Sequence, residues 1–183
     1  SNPAPCYADD TDVEQQDNTL NFESAPFTAP YYINGPMQAD VWIDSSVTEA
    51  VLSVRVDEVS ADGSFVKPLS NGLLIASGRA VDESKSRFIK NEMVQPYHPF
   101  TQEAELPVVP GEVMQLRVEI FPTSALIQKG NKLRISIAPS NQSQGAMNDV
   151  RRARAMGGVT TVHIAKEYPS SVVLPIVPVS ELN

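Results

Sequence analysis

Serine, the commonest hydrolytic nucleophile, occurs at many positions in this chain of 183 residues, so the question is whether any serine stands in a motif that activates it. A serine hydrolase of the α/β type exposes its nucleophile in a G-x-S-x-G turn between a strand and a helix, and the sequence contains no such motif. Ser64 and Lys67 match the spelling S-x-x-K, but they follow a hairpin-like turn at Asp62-Gly63 instead of opening a helix. We therefore predict that this chain carries no catalytic residue.

The two histidines stand in different settings. His163 alternates with Val162 and Ile164, which is typical of a strand residue on the outer face of a sheet. His98 lies in the turn-like aromatic run PYHPF of residues 96–100. Neither stands in a pattern that predicts a serine and its base, so both are expected to be structural or surface residues.

The sequence contains no motif that predicts a metal-binding or phosphate-binding site. A structural zinc site takes about four Cys or His ligands, whereas the chain has one cysteine, Cys6, and two histidines. The cluster Asp9, Asp10 and Asp12 lacks the glycine and glutamate of a calcium loop, and no glycine-rich phosphate motif is present. The sequence predicts no metal site and no cofactor, and it leaves open whether Cys6 is a free thiol or half of a disulfide with another chain segment.

Charge limits the partners that this chain can bind. The formal net charge is -8 and the pI is about 4.7, which argues against nucleic acid and against an anionic membrane surface. No segment reaches the roughly 18 apolar residues that a bilayer-spanning helix needs. A soluble protein is predicted, and both a cytoplasmic and a secreted location stay open.

The elements that must position these residues are mostly strands. The dominant period is two: Leu52 and Val54 point one way, while Arg55 and Asp57 point the other way and are predicted to face water. Similar patterns predict strands at residues 20–23, 37–44, 73–80, 113–121, 132–138, 159–165 and 171–176. Turn signals separate them at Asn34-Gly35-Pro36, Asp62-Gly63, Asn71-Gly72, Pro110-Gly111 and Lys129-Gly130.

One short helix is predicted within residues 145–156, with Asn148 or Asp149 as its cap and Gly157 at its end. Many short strands with a single helix predict an all-β fold, a β-sandwich or jelly roll. We expect a flexible acidic segment over residues 1–16, in which Ser1-Asn2 could be the remnant of an expression tag, and one sandwich domain over residues 17–183.

The long connection over residues 82–100 shows no clean period and is predicted to be an irregular loop. Its residues Tyr97, His98 and Phe100, together with Trp42 on the polar side of its strand, form the predicted contact surface for another domain. Two alternatives remain at this point: the loop folds back over its own sandwich, and Trp42 makes an ordinary contact within the chain.

Ordered motifs connect these features to a known family. In order they are APYYINGP, a tryptophan strand, VLSVRVDEVSADGS, NGLLIASGRA, PYHPF, VVPGEVMQLRVEIFPTSALIQKGNKLRISIA and GGVTTVHIAKEYPSSVVLPIVP. Each motif alone is weak, but the set over residues 17–179 resembles the C-terminal domain of the X-Pro dipeptidyl-peptidase family, which includes cocaine esterase-like acyl hydrolases. The resemblance implies a jelly-roll β-sandwich similar to galactose-binding folds, described as non-catalytic.

The same resemblance implies a partner and a role. It places an α/β-hydrolase domain with a serine triad elsewhere in the parent chain, which this domain would buttress while helping to shape the substrate cleft. The alternative from another class is a carbohydrate-binding module, and a homodimer also stays open. Within the matching region, Pro122 is predicted to end a strand and residues 125–130 to form a corner of the sandwich.

Overall fold

The computed structural model describes residues 18–139 and 149–182. In these ranges the chain forms one α-helix, α1 (Asp149–Ala155), and eleven β-strands. The strands are β1 (Leu20–Glu23), β2 (Tyr31–Ser45), β3 (Val51–Val59), β4 (Val66–Ile75), β5 (Arg87–Ile89), β6 (Glu92–Gln95), β7 (Met114–Ile127), β8 (Lys132–Ala138), β9 (Thr160–His163), β10 (Ser171–Val173) and β11 (Ile176–Pro178). The predicted flexible segment 1–16 with Cys6, and the cap Asn148, lie outside the described residues.

Two antiparallel sheets make up the sandwich. One has four strands in the order β1-β8-β3-β4. The other has five strands around β2, which pairs with β7 along one side and with β9, β10 and β11 along the other. Strands β5 and β6 form a separate hairpin. The predicted all-β sandwich with one short helix is therefore confirmed.

The core between the sheets is built from the apolar positions of the alternating patterns. They include Ile33, Met37 and Ile43 of β2, Leu52, Val54 and Val56 of β3, Leu116, Val118 and Ile120 of β7, and Leu133 and Ile137 of β8. All of these residues are buried, so removing their apolar surface from water is the main force that holds the two sheets together.

The opposite face of β3 departs from the prediction. Ser53, Arg55 and Asp57 are buried, whereas the alternation predicted that they face water. An Arg55 amino nitrogen lies 3.1 Å from Asp57 Oδ1, and this ion pair compensates two charges that water does not reach. The prediction was wrong because a period of two reports the direction of a side chain and not what covers it.

Two of the predicted turns lie inside strands. Asn34-Gly35-Pro36 belongs to β2, where Gly35 adopts φ +135° next to a shift in the β2–β7 register. Asn71-Gly72 belongs to β4. A side chain at Gly72 would collide with the backbone of β7, since a Cβ there would lie 2.8 Å from the Glu119 carbonyl carbon. These glycines permit a bulge and a close approach of two strands, which a sequence pattern does not distinguish from turns.

Strand β7 continues through Pro122 to Ile127, so the predicted strand end at this proline is wrong. The β2–β7 register shifts between Gly35 and Met37. Pro36 and Pro122 both fall in this irregular stretch, where the ladder does not require an N–H donor from either residue.

Residues 128–131 carry the chain from β7 in one sheet to β8 in the other. The corner predicted over residues 125–130 therefore begins later than expected, because residues 125–127 still belong to β7 and pair with β2. A buried carboxylate fastens it. Glu58 Oε1 accepts hydrogen bonds from the Gln128 N–H at 3.0 Å and from Asn131 Nδ2 at 2.7 Å. Asn131 Oδ1 in turn accepts from the Ala61 N–H at 3.2 Å. The corner is therefore held by side chains from strands far apart in sequence.

We expect Gly72→Ala to lower the free energy of unfolding by more than about 2 kcal/mol, because the new methyl group meets backbone that cannot rotate away. Gly78→Ala is the matched control, since a Cβ there lies 3.1 Å from side-chain atoms of Ile75 and Phe100, which can shift. Urea unfolding of both variants measures the difference. Equal losses would contradict the close approach of β4 and β7.

Candidate functional site

The S-x-x-K residues do not meet in the structure. Lys67 Nζ lies 3.8 Å from Glu58 Oε2. Ser64 is part of the turn after β3, where its N–H donates to Asp62 Oδ1 at 3.0 Å. Hydrogen bonds from Ser64, and then from Ser60, lower the pKa of Asp62 to about 2. The geometry is that of a tight polar turn, and it gives Ser64 no base.

His163 lies in β9 as predicted and pairs with Trp42 of β2 across the sheet. His163 Nε2 lies 2.7 Å from Asp44 Oδ2. Ser170 is close by, but its hydroxyl donates to the His163 carbonyl oxygen at 2.6 Å and accepts from the Trp42 N–H at 3.0 Å. Asp, His and Ser are thus neighbours without the serine-to-imidazole bond that activates a nucleophile.

Trp42 is half-buried because the chain supplies its own cover. The Tyr168 ring lies 5.4 Å from the Trp42 ring and 5.4 Å from the His163 ring, between centroids. This small aromatic cluster accounts for a tryptophan on the polar side of its strand. Trp42 lies apart from the other three predicted contact residues, Tyr97, His98 and Phe100, which line a groove that Trp42 does not reach.

The long connection after β4 is more regular than predicted. It contains the β5–β6 hairpin, which packs on the sandwich through the buried residues Met93 and Val94. Arg117 of β7 contacts Glu83 at 3.2 Å, and Gln95 Nε2 donates to Glu119 Oε1 at 2.7 Å. Much of the connection therefore folds back over its own sandwich, which was one of the two alternatives.

His98 fastens the end of this connection. It is 9% exposed, and its two ring nitrogens lie 2.9 Å from the Ala80 carbonyl oxygen and 2.8 Å from the Arg117 carbonyl oxygen. Its polar atoms are thus already in use, and it cannot offer them to another molecule. Of the predicted contact residues in this loop, His98 holds the loop in place, while Tyr97 and Phe100 remain exposed and form the contact surface.

Those neighbours are exposed aromatic residues. Tyr97 is 43% exposed, Phe100 is 63% exposed, and Phe121 of β7 is 57% exposed. They line a groove of about 700 Å³ together with Leu73, Leu74, Pro96, His98 and Glu119. Phe121 is not among the predicted contact residues, although the alternation of β7 places it opposite the core residue Ile120 and so predicts an outward aromatic ring.

The backbone conformation of Phe100 indicates that the position of its ring in the groove is fixed by neighbouring residues. Its φ of 51° lies in the left-handed region, which is costly for an aromatic residue. The ring packs against His98, with 5.4 Å between centroids, and it lies close to Gly78, where a Cβ would come within 3.1 Å of it. The surrounding residues thus hold an exposed ring in an unfavourable backbone conformation.

A second buried carboxylate supports the groove from below. Glu49 Oε1 accepts hydrogen bonds from the Ala50 N–H at 3.1 Å and the Ser77 N–H at 3.0 Å. This ties the start of β3 to the 3-10 turn Ala76–Gly78, against which Phe100 packs. The groove consequently rests on hydrogen bonds made inside the sandwich.

Within residues 18–139 and 149–182, no group of three His, Cys, Asp or Glu side chains is arranged to hold a metal ion. No helix in the same ranges is long and apolar enough to cross a bilayer.

Comparisons with known proteins agree with this geometry. The sequence model of the family described as X-Pro dipeptidyl-peptidase C-terminal non-catalytic domain matches residues 4–173. A Mycobacterium bovis protein whose name includes the words serine esterase is 30% identical over 142 residues, which are 78% of this chain and 22% of that protein. Cocaine esterase from a Rhodococcus strain is 20% identical over 178 residues, which are 93% of this chain and 27% of that enzyme.

Among solved structures, a CocE/NonD family hydrolase from Staphylococcus aureus is similar with a TM-score of 0.72 and 20% identity, over 87% of this chain and 30% of that one. At this identity the likeness establishes the fold. The chain thus spans about a quarter of the length of the proteins it resembles.

Replacing His98 by alanine should lower the free energy of unfolding by about 2 kcal/mol, because the buried imidazole between the Ala80 and Arg117 carbonyl oxygens loses its hydrogen bond and leaves a gap. Amide exchange should quicken at Asp82, whose N–H donates to the Tyr97 carbonyl oxygen at 2.9 Å. His163→Ala is the control, because it removes a bond to Asp44 and a ring contact with Tyr168 that lie away from the loop, so it should leave amide exchange at Asp82 unchanged. Equal exchange at Asp82 in the two variants would show that His98 does not fasten the loop.

Proposed function

Because the chain belongs to the family of X-Pro dipeptidyl-peptidase C-terminal non-catalytic domains, we propose that it serves a larger α/β-hydrolase of the esterase or dipeptidyl-peptidase type, buttressing the catalytic domain and helping to shape its substrate cleft. The observation that carries this proposal is the exposed aromatic groove at Tyr97, Phe100 and Phe121. Clustered exposed aromatic rings are characteristic of surfaces that another protein surface covers.

The length of the relatives supports a partner within one polypeptide. This chain covers 22% to 30% of the esterase and hydrolase relatives, which leaves ample chain for a catalytic domain. A catalytic domain in the same polypeptide has a high effective concentration, so a groove of this size is sufficient for stable docking.

The carbohydrate-binding alternative has weaker support. Six of the eight residues that line the groove are apolar or aromatic, and the nitrogens of His98 are already hydrogen-bonded inside the chain. A sugar site requires several polar groups that converge on hydroxyls. Trp42, the other candidate platform, is covered by Tyr168.

We expect this chain alone to show no turnover of acyl esters or X-Pro dipeptide chromogenic substrates, since within residues 18–139 and 149–182 no serine hydroxyl is hydrogen-bonded to a histidine ring nitrogen. The complete gene product should hydrolyse at least one member of the same panel. Turnover by the purified chain that disappears in one of its own serine variants would overturn the assignment, as would a gene that encodes no hydrolase domain.

The double substitution Tyr97→Ala and Phe100→Ala tests the docking surface. In this chain alone the free energy of unfolding should fall by no more than about 1 kcal/mol, because both rings are largely exposed and lose only surface contacts with His98 and Lys85. In the complete gene product the same change should lower the melting temperature and the activity, as calorimetry and substrate turnover would show.

Phe65→Ala is the matched control, because Phe65 is 48% exposed and lies outside the groove. It should leave both proteins unchanged. A large loss of stability in the isolated chain, with no further effect in the complete gene product, would instead show that the two rings belong to the core of this sandwich.

A further inference from the structure

Glu119 is an acidic residue among the aromatic rings of the groove. Its Oε1 accepts a hydrogen bond from the neutral Gln95 amide at 2.7 Å. No Lys, Arg or His among the described residues forms an ion pair with Glu119, whereas Glu83 and Asp40 both have such a partner. Arg117, two residues away, lies 3.2 Å from Glu83 and 4.0 Å from Asp40.

This arrangement leaves one carboxylate oxygen free for an incoming group. Glu119 is half-buried, so a cation that reaches it would be partly shielded from water and would bind more strongly than at a fully exposed site. The other walls of the groove provide rings, and the face of an aromatic ring attracts a cation. Tyr97 already shows this behaviour, since Lys85 Nζ lies 5.0 Å from the centroid of its ring.

We propose that the groove binds one basic side chain, an arginine, presented by the hydrolase part of the parent chain. The guanidinium would pair with Glu119 and lie flat against Phe100 and Phe121. This inference rests on the proposed function and identifies the chemistry of the docking partner. Arginine fits better than lysine because its planar group stacks on rings while it donates two hydrogen bonds to one carboxylate.

Size and charge support this occupant. A groove of about 700 Å³ accommodates an extended side chain with its flanking backbone. The net charge of -8 makes a basic partner surface electrostatically complementary to this domain. A second copy of the same chain carries the same negative charge and is therefore disfavoured.

The test uses this chain labelled with ¹⁵N and two small probes, acetyl-arginine methylamide and its neutral isostere acetyl-citrulline methylamide. Amide resonances are followed up to about 50 mM probe, because one ion pair and two ring contacts correspond to millimolar affinity. We expect saturable shifts at Tyr97, Phe100 and Phe121 with the arginine probe and none with the citrulline probe. Glu119→Gln should weaken the arginine probe at least about fivefold, whereas Glu112→Gln, which removes one charge outside the groove, should not.

Each alternative outcome overturns the proposal. Equal shifts with both probes would show a purely apolar groove, and shifts elsewhere or an equal effect of the two glutamine variants would show non-specific charge binding. Dimers of the chain that Phe100→Ala dissociates would identify a second copy as the occupant.

The complete gene product separates this inference from the proposed function. If Tyr97→Ala with Phe100→Ala loosens that protein but Glu119→Gln does not, docking stands and the arginine proposal fails. If neither change has an effect there, the docking function itself fails.

Discussion

The close approach of β4 and β7 at Gly72 is the contact on which the rest of the structure depends. At this point the edge of one sheet lies directly against the edge of the other, and no side chain fits between Gly72 and the Glu119 backbone. The Ser70 hydroxyl adds a direct bond between the edges, since it donates to the Phe121 carbonyl oxygen at 2.6 Å. The groove forms where these edges meet, because Leu73 and Leu74 of β4 and Glu119 and Phe121 of β7 line it together.

Hydrogen bonds from buried side chains keep this geometry in place at three connections. Glu58 holds the corner between β7 and β8, and Glu49 holds the turn under Phe100. His98 bonds the long connection to the main chain of Ala80 and Arg117. In each case a side chain bonds to backbone groups of a stretch that lies outside the strand ladders, which is the common solution for buried irregular segments.

These features agree with the proposed role of a supporting domain. The chain belongs to a family described as non-catalytic, and its Ser170, His163 and Asp44 lie near one another without forming an activated serine. What the fold does present is a rigid aromatic surface with one acidic residue. In the proposed docking, this surface binds the partner through apolar burial, and Glu119 selects the partner residue that fits.

The sequence by itself determined the all-β class, the short helix, the apolar positions of the core and the family, because these depend on local period and on ordered motifs. The bounds of the strands were less well determined, since the strand predicted at residues 73–80 is β4, which ends at Ile75 before a 3-10 turn at Ala76–Gly78. It did not determine what covers each face. Arg55 was predicted to face water and is buried, and Gly72 was predicted to be a turn and is a contact between strands. Three residues of one short loop were predicted to form a single contact surface, but His98 is buried whereas Tyr97 and Phe100 are exposed. Only the tertiary structure decided these outcomes, because burial depends on which distant segments of the chain meet. Ser70 and Phe121, for example, are 51 positions apart and are joined by a hydrogen bond. A local sequence pattern does not predict such a contact.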